Sequence, residues 1–455
     1  MAKAKIIYTC SSCGANHPGW SGKCSACGEW NTIVETVNES RAVSAAGKNI
    51  ASGKPLELSK VNIKQAQSEK RLSVGISDID AVLGGGIVRG GVVLIAGEPG
   101  IGKSTLLMQL AYNSATAGKV LYVSGEESTS QVSLRANRLG AVHDNLFIAS
   151  STSANDIART IEKGNFDLVV VDSIQTIAID EITSSPGTVS QITNSTSLIS
   201  SSAKKTSTAL IVVGHVTKEG SIAGPKVLEH VVDVVLQLEG NRYGGFRVLR
   251  ALKNRYGSTS EAAILEMDDK GLRVVSNPSA LLLEERQKSD GSVVLATLEG
   301  TRPILVEVQA LVNPTSYGYP KRATSGFDLN RLNLLIAMLE RRTKLKLSDK
   351  DIFVNIVGGI KITEPAADLA VIMAIASASK GMQLKQDAVV YGEVGLSGEI
   401  RRVTWPEKRL KEIEKLGFKA AIGPKVKESD KVPNWYLSAS DIKTALNSFL
   451  INGQR

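Results

Sequence analysis

The chain has 455 residues, 42% of them hydrophobic, and a formal net charge of +9. That length allows roughly two to four domains, with enough apolar content for packed cores. No run approaches the roughly 20 apolar residues of a membrane helix, and because the sequence passes from Met1 straight into a cysteine motif, no secretory leader is expected. A cytoplasmic protein with no membrane partner is expected. The lysine and arginine excess favours a polyanionic partner, although much of it is scattered and would serve a solvated surface equally well.

All four cysteines lie between positions 10 and 27, as Cys10-x2-Cys13 and Cys24-x2-Cys27. Two such turns present four thiolates to one ion, which suits structural Zn2+ with no open coordination position. A segment this small buries too little apolar surface alone, so metal binding supplies its folding free energy. Disulfides are the competing pairing, disfavoured in reduced cytosol. His17 offers a substitute ligand that four thiolates make dispensable. Trp20 and Trp30 are expected to cover the metal site rather than stack on bases. This module takes residues 1–35. From 36 to 70 the chain turns polar and loses periodicity, as a flexible linker does. The basic residues Lys60, Lys64, Lys70 and Arg71 either graze a phosphate backbone or do nothing specific.

Between residues 71 and 275, apolar strand-like runs alternate with amphipathic helical segments, the pattern of a parallel sheet covered by helices. The expected strands are Val92–Ala96, Val120–Ser124, Leu168–Asp172, Ala209–Gly214 and Val231–Leu238. Between the first of them and a helix-like Leu106–Ala115 stands Gly97-Glu98-Pro99-Gly100-Ile101-Gly102-Lys103-Ser104-Thr105, which fits the phosphate-loop pattern G-x4-G-K-[ST]. Its glycines let backbone N–H groups face the β- and γ-phosphates of ATP. Lys103 adds a mobile positive charge, and Ser104 offers a hydroxyl to Mg2+.

Two of the strands end in acidic groups, Ser124-Gly125-Glu126-Glu127 and Val171-Asp172-Ser173. Ligands of open α/β sheets sit outside the carboxyl ends of the strands, so these groups are expected to face the nucleotide. Asp172 takes the Walker B role, holding Mg2+ through water. Glu126 polarises the attacking water as general base, with Glu127 the second choice. The fourth strand runs into a glycine-rich loop headed by His215, a candidate γ-phosphate sensor. Lys218 and Lys226 face a polyanion if that loop lines a pore, and are otherwise solvated. A second mobile loop is expected over Thr183–Gln191.

In order, the four-cysteine module, Gly84-Gly85-Gly86, the phosphate loop, Gly125-Glu126-Glu127-Ser128, the Walker B strand, Gly214-His215-Val216-Thr217-Lys218-Glu219-Gly220 and Lys253-Asn254-Arg255-Tyr256-Gly257 resemble the bacterial RadA (Sms) family across essentially the whole chain. The resemblance implies a RecA-type ATPase core and homo-oligomeric, hexameric rings on single-stranded DNA. It further implies branch migration on branched recombination intermediates alongside a RecA-type recombinase, in repair and recombination after DNA damage and stress. Lys253 and Arg255, in a Lys-Asn-Arg-x-Gly element with Tyr256 where Phe is common, resemble the trans-acting lysine and arginine of ring helicases. Composition and spacing alone stop at an oligomeric ATPase with an anionic partner.

The remainder, 276–455, is expected to be an α+β domain, with strands Val293–Glu299, Ile304–Val312 and Phe353–Val357 and helices Leu329–Arg342 and Ala366–Ser379. With Gly392-Glu393-Val394-Gly395-Leu396-Ser397-Gly398-Glu399-Ile400-Arg401 it resembles the proteolytic domain of Lon, except in its chemistry. Where Lon has its nucleophilic serine the chain reads Glu364-Pro365-Ala366-Ala367-Asp368, and the matching lysine position falls near Glu407. Acyl transfer then has no activated nucleophile. The domain is expected to build the ring and offer DNA a basic face through Arg341, Arg342, Lys344, Lys346, Arg401 and Arg402, or merely to end in a solvated helix and turn. Three functions compete: a DNA-dependent ATPase motor, an ATP-dependent Lon-like protease and a regulatory ATPase of the KaiC type. The missing serine–lysine pair argues against the second, and the cysteine module with Lys-Asn-Arg-Tyr-Gly against the third.

Overall fold

The computed structural model describes residues 5–11, 15–38, 71–216, 222–223, 227–240, 246–287, 289–316, 318–384, 388–426 and 432–451. Cys13, Lys218, Lys226 and linker residues 39–70 lie outside the described residues. Two compact units are drawn from Met1–Leu238, Leu249–Thr259 and Asp268–Leu272, and from Glu239–Val248, Ser260–Met267 and Arg273–Arg455.

The first unit opens with an antiparallel sheet of β1 (Lys5–Cys10), β2 (Asn16–His17) and β3 (Ile33–Asn38), in which Tyr8 pairs with His17 and Cys10 with Ile33. After helix α1 (Ser77–Val82) come β4 (Val92–Gly97), α2 (Lys103–Ala115), β5 (Val120–Ser124), α3 (Thr129–Arg138), β6 (Leu146–Ser150), α4 (Ala154–Gly164), β7 (Leu168–Asp172), α5 (Val189–Lys205), β8 (Ala209–Val216), α6 (Val227–Val231), β9 (Val234–Gly240) and β10 (Phe246–Asn254). Strands β4 and β5 are buried throughout, as apolar runs in a parallel sheet are when helices cover both faces. The strand order is β9-β4-β8-β7-β5-β6 with every pairing parallel. The carboxyl ends of β4, β5, β7 and β8 therefore share one edge of the sheet, the arrangement of a RecA-type core. Side-chain caps start the surrounding helices: Ser128 with Gln131 forms a capping box on α3, and Ser153 accepts from Asp156 N on α4.

Two local expectations are corrected. Val231–Leu238 is not one strand, because Val227–Val231 is helical and β9 begins at Val234. The break falls at Asp233, a carboxylate only 3% exposed that accepts a hydrogen bond from Val92 N at 3.1 Å. The loop expected over Thr183–Gln191 ends earlier, because α5 begins at Val189. Ile182 is buried, and the Gln191 amide donates to the Ile182 and Ser184 carbonyls at 3.1 and 2.9 Å while accepting from Ile179 N at 2.9 Å.

The second unit is built on a mixed sheet of β11 (Ser292–Glu299), β12 (Arg302–Pro314), β13 (Arg322–Ser325), β14 (Lys350–Ile356), β15 (Ala388–Val390), β18 (Ala420–Pro424) and β19 (Tyr436–Ala439), ordered β13-β14-β12-β11-β15-β18-β19. A small hairpin, β16 (Glu393–Val394) and β17 (Ile400–Arg401), lies off it. Helices α7 (Leu329–Arg342), α8 (Asp368–Lys380) and α9 (Pro406–Lys415) accompany the sheet. The residues Asp368–Ser377 of α8 are all buried in the core. The helix expected from Ala366 starts later, after a 3-10 turn at Pro365–Ala367, and it ends at Gly381, whose φ of 59° suits a left-handed cap.

Candidate active site

The phosphate loop joins β4 to α2 through glycines that have no substitute. A Cβ on Gly97 would lie 2.6 Å from the Leu238 carbonyl of the adjacent strand, and Gly100 and Gly102 have φ of +79° and +111°. No side chain caps the N-terminus of α2, which follows Gly102 directly. Lys103 is buried at the loop, its Nζ donating to the Gly97 and Glu98 carbonyls at 2.8 and 2.9 Å. Glu98, Pro99 and Gly100 form the exposed crest, with Ile101 buried beneath it. Backbone donors, a buried ammonium and a nearby hydroxyl at Ser104 form a donor set that fits a nucleotide triphosphate and its Mg2+.

The register of β5 on β7 sets Ser124 opposite Asp172. Tyr122, fully buried on β5, donates its hydroxyl to Asp172 Oδ2 at 2.6 Å. Burial, then the neighbouring Asp172 carboxylate, raises the Tyr122 phenol well above its ordinary pKa, so it remains a donor. Ser173 donates to Glu126 Oε1 at 2.5 Å, joining the two acidic segments. The turn carrying Glu126 is fixed by Ser124 Oγ, which accepts from the N–H groups of Glu126 and Glu127 at 3.3 and 2.8 Å. Geometry separates the two glutamates: Arg135 of α3 holds both carboxylate oxygens of Glu127 at 2.5 Å, whereas Glu126 is joined through Ser173 to the end of β7. Strand β8 brings the His215 backbone opposite Gly97. Sequence reasoning missed Tyr122, Ser173, Arg135 and also Gln175, whose buried amide atoms have no partner among the described residues and lie beside Gly214. Strand register brings Tyr122 to Asp172, while Arg135 comes from α3 and Ser173 and Gln175 from the turn after β7.

Lys253 and Arg255 lie elsewhere. Lys253 Nζ donates to the carbonyls of Glu229 and Val232, the latter at 2.8 Å, and burial, then the nearby Arg255, lowers its pKa. Arg255 pairs with Asp233 at 3.1 Å, and Asp233 in turn binds the N–H of Val92. Val92 begins β4 and Gly97 ends it, so at about 3.3 Å per residue this anchor stands about 17 Å along the strand from the phosphate loop of the same chain. Arg71, expected in the linker reading to graze phosphate or do nothing specific, instead donates to the Gly84 and Tyr256 carbonyls at 2.5 and 2.9 Å.

In the N-terminal module, the ligand atoms of Cys10, Cys24 and Cys27 all lie within 4.8 Å of one another. Sulfurs bound tetrahedrally to zinc at about 2.3 Å stand about 3.8 Å apart, and Cys10 Sγ and Cys27 Sγ are 3.7 Å apart. The set fits zinc, which would cross-link the two knuckles. His17 is closer to the cluster than its expected redundancy suggests, with Nε2 3.3 Å from Cys24 Sγ. Trp20 and Trp30, expected to cover the site, are 66% and 68% exposed, and Lys23 lies over the Trp30 ring.

In the second unit, Ala366 is fully buried where Lon would carry serine. Glu364 forms an ion pair with the fully buried Arg409 and accepts from Thr297 Oγ1 and Leu298 N, both at 3.0 Å. Asp368 pairs with Arg331 and accepts from Val394 N at 3.1 Å; burial raises its pKa. Glu407 is exposed, and its neighbour Lys408 donates to the Thr301 carbonyl at 3.1 Å. Of the basic residues proposed for DNA, Arg341 and Arg342 end α7 in solvent, Arg342 bonding the Leu396 carbonyl. Arg401 pairs with Glu399 at 2.6 Å, and Arg402 bonds the Lys425 carbonyl.

These features define a zinc-ribbon protein with a phosphate-loop ATPase core and a Lon-like C-terminal fold. Family models agree: one described as an AAA domain matches residues 57–221, a rubredoxin metal binding domain matches 8–35, and the ChlI subunit of Mg-chelatase matches 331–427. The chain is 48% identical over 425 residues to the DNA repair protein RadA of Aquifex aeolicus, covering 93% of this chain and 94% of that one. It is 48% identical over 432 residues to the RadA of Bacillus subtilis, covering 93% of each, and 44% over 442 residues to that of Escherichia coli, covering 95% of each. The chain belongs to the RadA family of DNA repair proteins.

Proposed function

We propose that this protein is a DNA-dependent ATPase that works as a hexameric ring motor on single-stranded DNA, promoting branch migration and processing recombination intermediates beside a RecA-type recombinase in the bacterial cytoplasm. The observation that carries this reading is the separation of Arg255 from its own phosphate loop by the length of β4. A guanidinium there cannot serve its own site, but it is exposed enough to serve a neighbour's.

In each site Lys103 and the loop N–H groups would bind the phosphates, and Ser104 and, through water, Asp172 would hold a Mg2+ ion, whose charge would offset the charge developing on them. Glu126, oriented by Ser173, takes the proton of the attacking water. Lys253 and Arg255 of the adjacent subunit approach the γ-phosphate, His215 senses it, and Lys218 and Lys226 carry the response to DNA. Arg341, Arg342, Arg401 and Arg402 contribute to a basic face, on which Glu399 partly offsets Arg401. The zinc module contacts DNA or partner. The second unit is a ring-building element without peptidase activity, because Ala366 offers no nucleophile. Single-stranded DNA should raise ATP turnover, and its binding should weaken steeply with salt as counterions are released. Turnover indifferent to DNA, or binding indifferent to salt, would contradict the proposal.

A further inference from the structure

Lys253–Gly257 is fastened along its length. Asn254 Nδ2 donates to the Val82 carbonyl at 3.3 Å, and Asn254 Oδ1 accepts from Tyr256 N at 2.9 Å. Gly257 touches the triple-glycine turn so closely that a Cβ on it would lie 2.9 Å from Gly84 Cα, and one on Gly84 would lie 3.1 Å from Gly257 Cα. Across this contact lies Arg71, with one nitrogen on the Gly84 carbonyl and another on the Tyr256 carbonyl. A planar fork with fixed donors suits two carbonyls at once, which a lysine cannot bridge in the same way. Of the residues fastened here, Arg255 keeps a side chain 55% exposed.

We propose that Arg71 is a positioning residue for the trans-acting arginine: by tying the Gly84 turn to the Tyr256 carbonyl, it fixes the backbone beside Arg255 and aims that side chain at the neighbouring subunit. The proposal rests on the reading of Arg255 as a finger supplied in trans. Arg71 follows the linker directly, so the same bond also anchors the start of the ATPase unit to its finger. A catalytic group misplaced by about 1 Å loses about 10²-fold in rate without any loss of substrate contacts.

The test uses the full chain with Arg71→Gln and Arg71→Lys, measuring DNA-stimulated turnover, ATP affinity and turnover of mixed rings. Arg71→Gln should lower turnover about 10²-fold with ATP affinity unchanged, and Arg71→Lys, able to hold one carbonyl, should fall between it and the parent. In mixed rings whose assembly is verified, Arg71→Gln should regain activity with Lys103→Ala, which keeps a sound finger, and should gain nothing with Arg255→Ala. Unchanged turnover in Arg71→Gln overturns the proposal. So does failure of Arg71→Gln to complement Lys103→Ala when Arg255→Ala does complement it. If Arg255→Ala and Lys103→Ala also fail together, the shared-site reading itself falls. Should Arg71→Gln not assemble, Arg71→Lys carries the same mixtures.

Discussion

The carboxyl edge of the first unit's sheet and the Glu364–Asp368 region of the second both gather acidic side chains, yet they treat them in opposite ways. At the ATP site hydroxyls do the orienting, Tyr122 on Asp172 and Ser173 on Glu126. A hydroxyl fixes the direction of a carboxylate without cancelling its charge. In the second unit guanidinium groups take that place, Arg409 on Glu364 and Arg331 on Asp368, and the charge is spent inside the fold. Acidic groups held in the first way can act on water or a metal ion; those held in the second way cement a core. Glu126 and Glu127 repeat the contrast between adjacent residues, since Glu127 is held by Arg135.

The largest effect should come from Lys103→Ala, with ATP turnover falling to background because the buried ammonium compensates charge that builds on the transferred phosphoryl group. Near-normal hydrolysis by the purified variant would remove the first unit from the comparison. Glu126→Gln should lower kcat about 10²–10⁴-fold while ATP binding persists, and Glu127→Gln should do much less. Steady-state kinetics showing the reverse order would exchange their roles. In the second unit, Arg409→Met strands a largely buried Glu364 and should cost about 3–5 kcal/mol of that unit's stability, whereas adding Glu364→Leu should return most of it. Denaturant unfolding in which the double variant is as weak as the single would mean that the pair is not what holds the region together. The smallest change expected is Tyr122→Phe, which removes one hydrogen bond to Asp172 worth about 1.5–3 kcal/mol. It should weaken Mg2+-dependent turnover while sparing nucleotide binding without Mg2+; equal losses in both assays would assign Tyr122 a purely structural role.

What the sequence revealed was chemistry confined to short spans. The phosphate loop, the acidic strand ends and the paired C-x2-C turns each need only a few neighbouring residues, so their spacing is visible in the chain. The groups that tune them are joined by register: Tyr122 reaches Asp172 fifty residues away, and Arg409 reaches Glu364 across forty-five. No local pattern announces such pairs. The misread strand at Val231–Leu238 has a different cause, because a short apolar run does not distinguish a helical turn from a buried strand, and the deciding residue was the buried Asp233. Exposure was equally hidden for Trp20 and Trp30, since a small zinc-held module has too little core to enclose both indoles.

In the proposed ring one subunit completes the ATP site of the next while the ring encircles DNA. The most direct test is particle imaging of the full chain with an ATP analogue and single-stranded DNA, at a resolution that shows side chains. Closed rings threaded by the strand are expected, with Arg255 of each subunit at the γ-phosphate held by its neighbour's Lys103. Rings in which Arg255 stays on Asp233 or contacts the DNA backbone, with no guanidinium from another subunit at the phosphates, would contradict it.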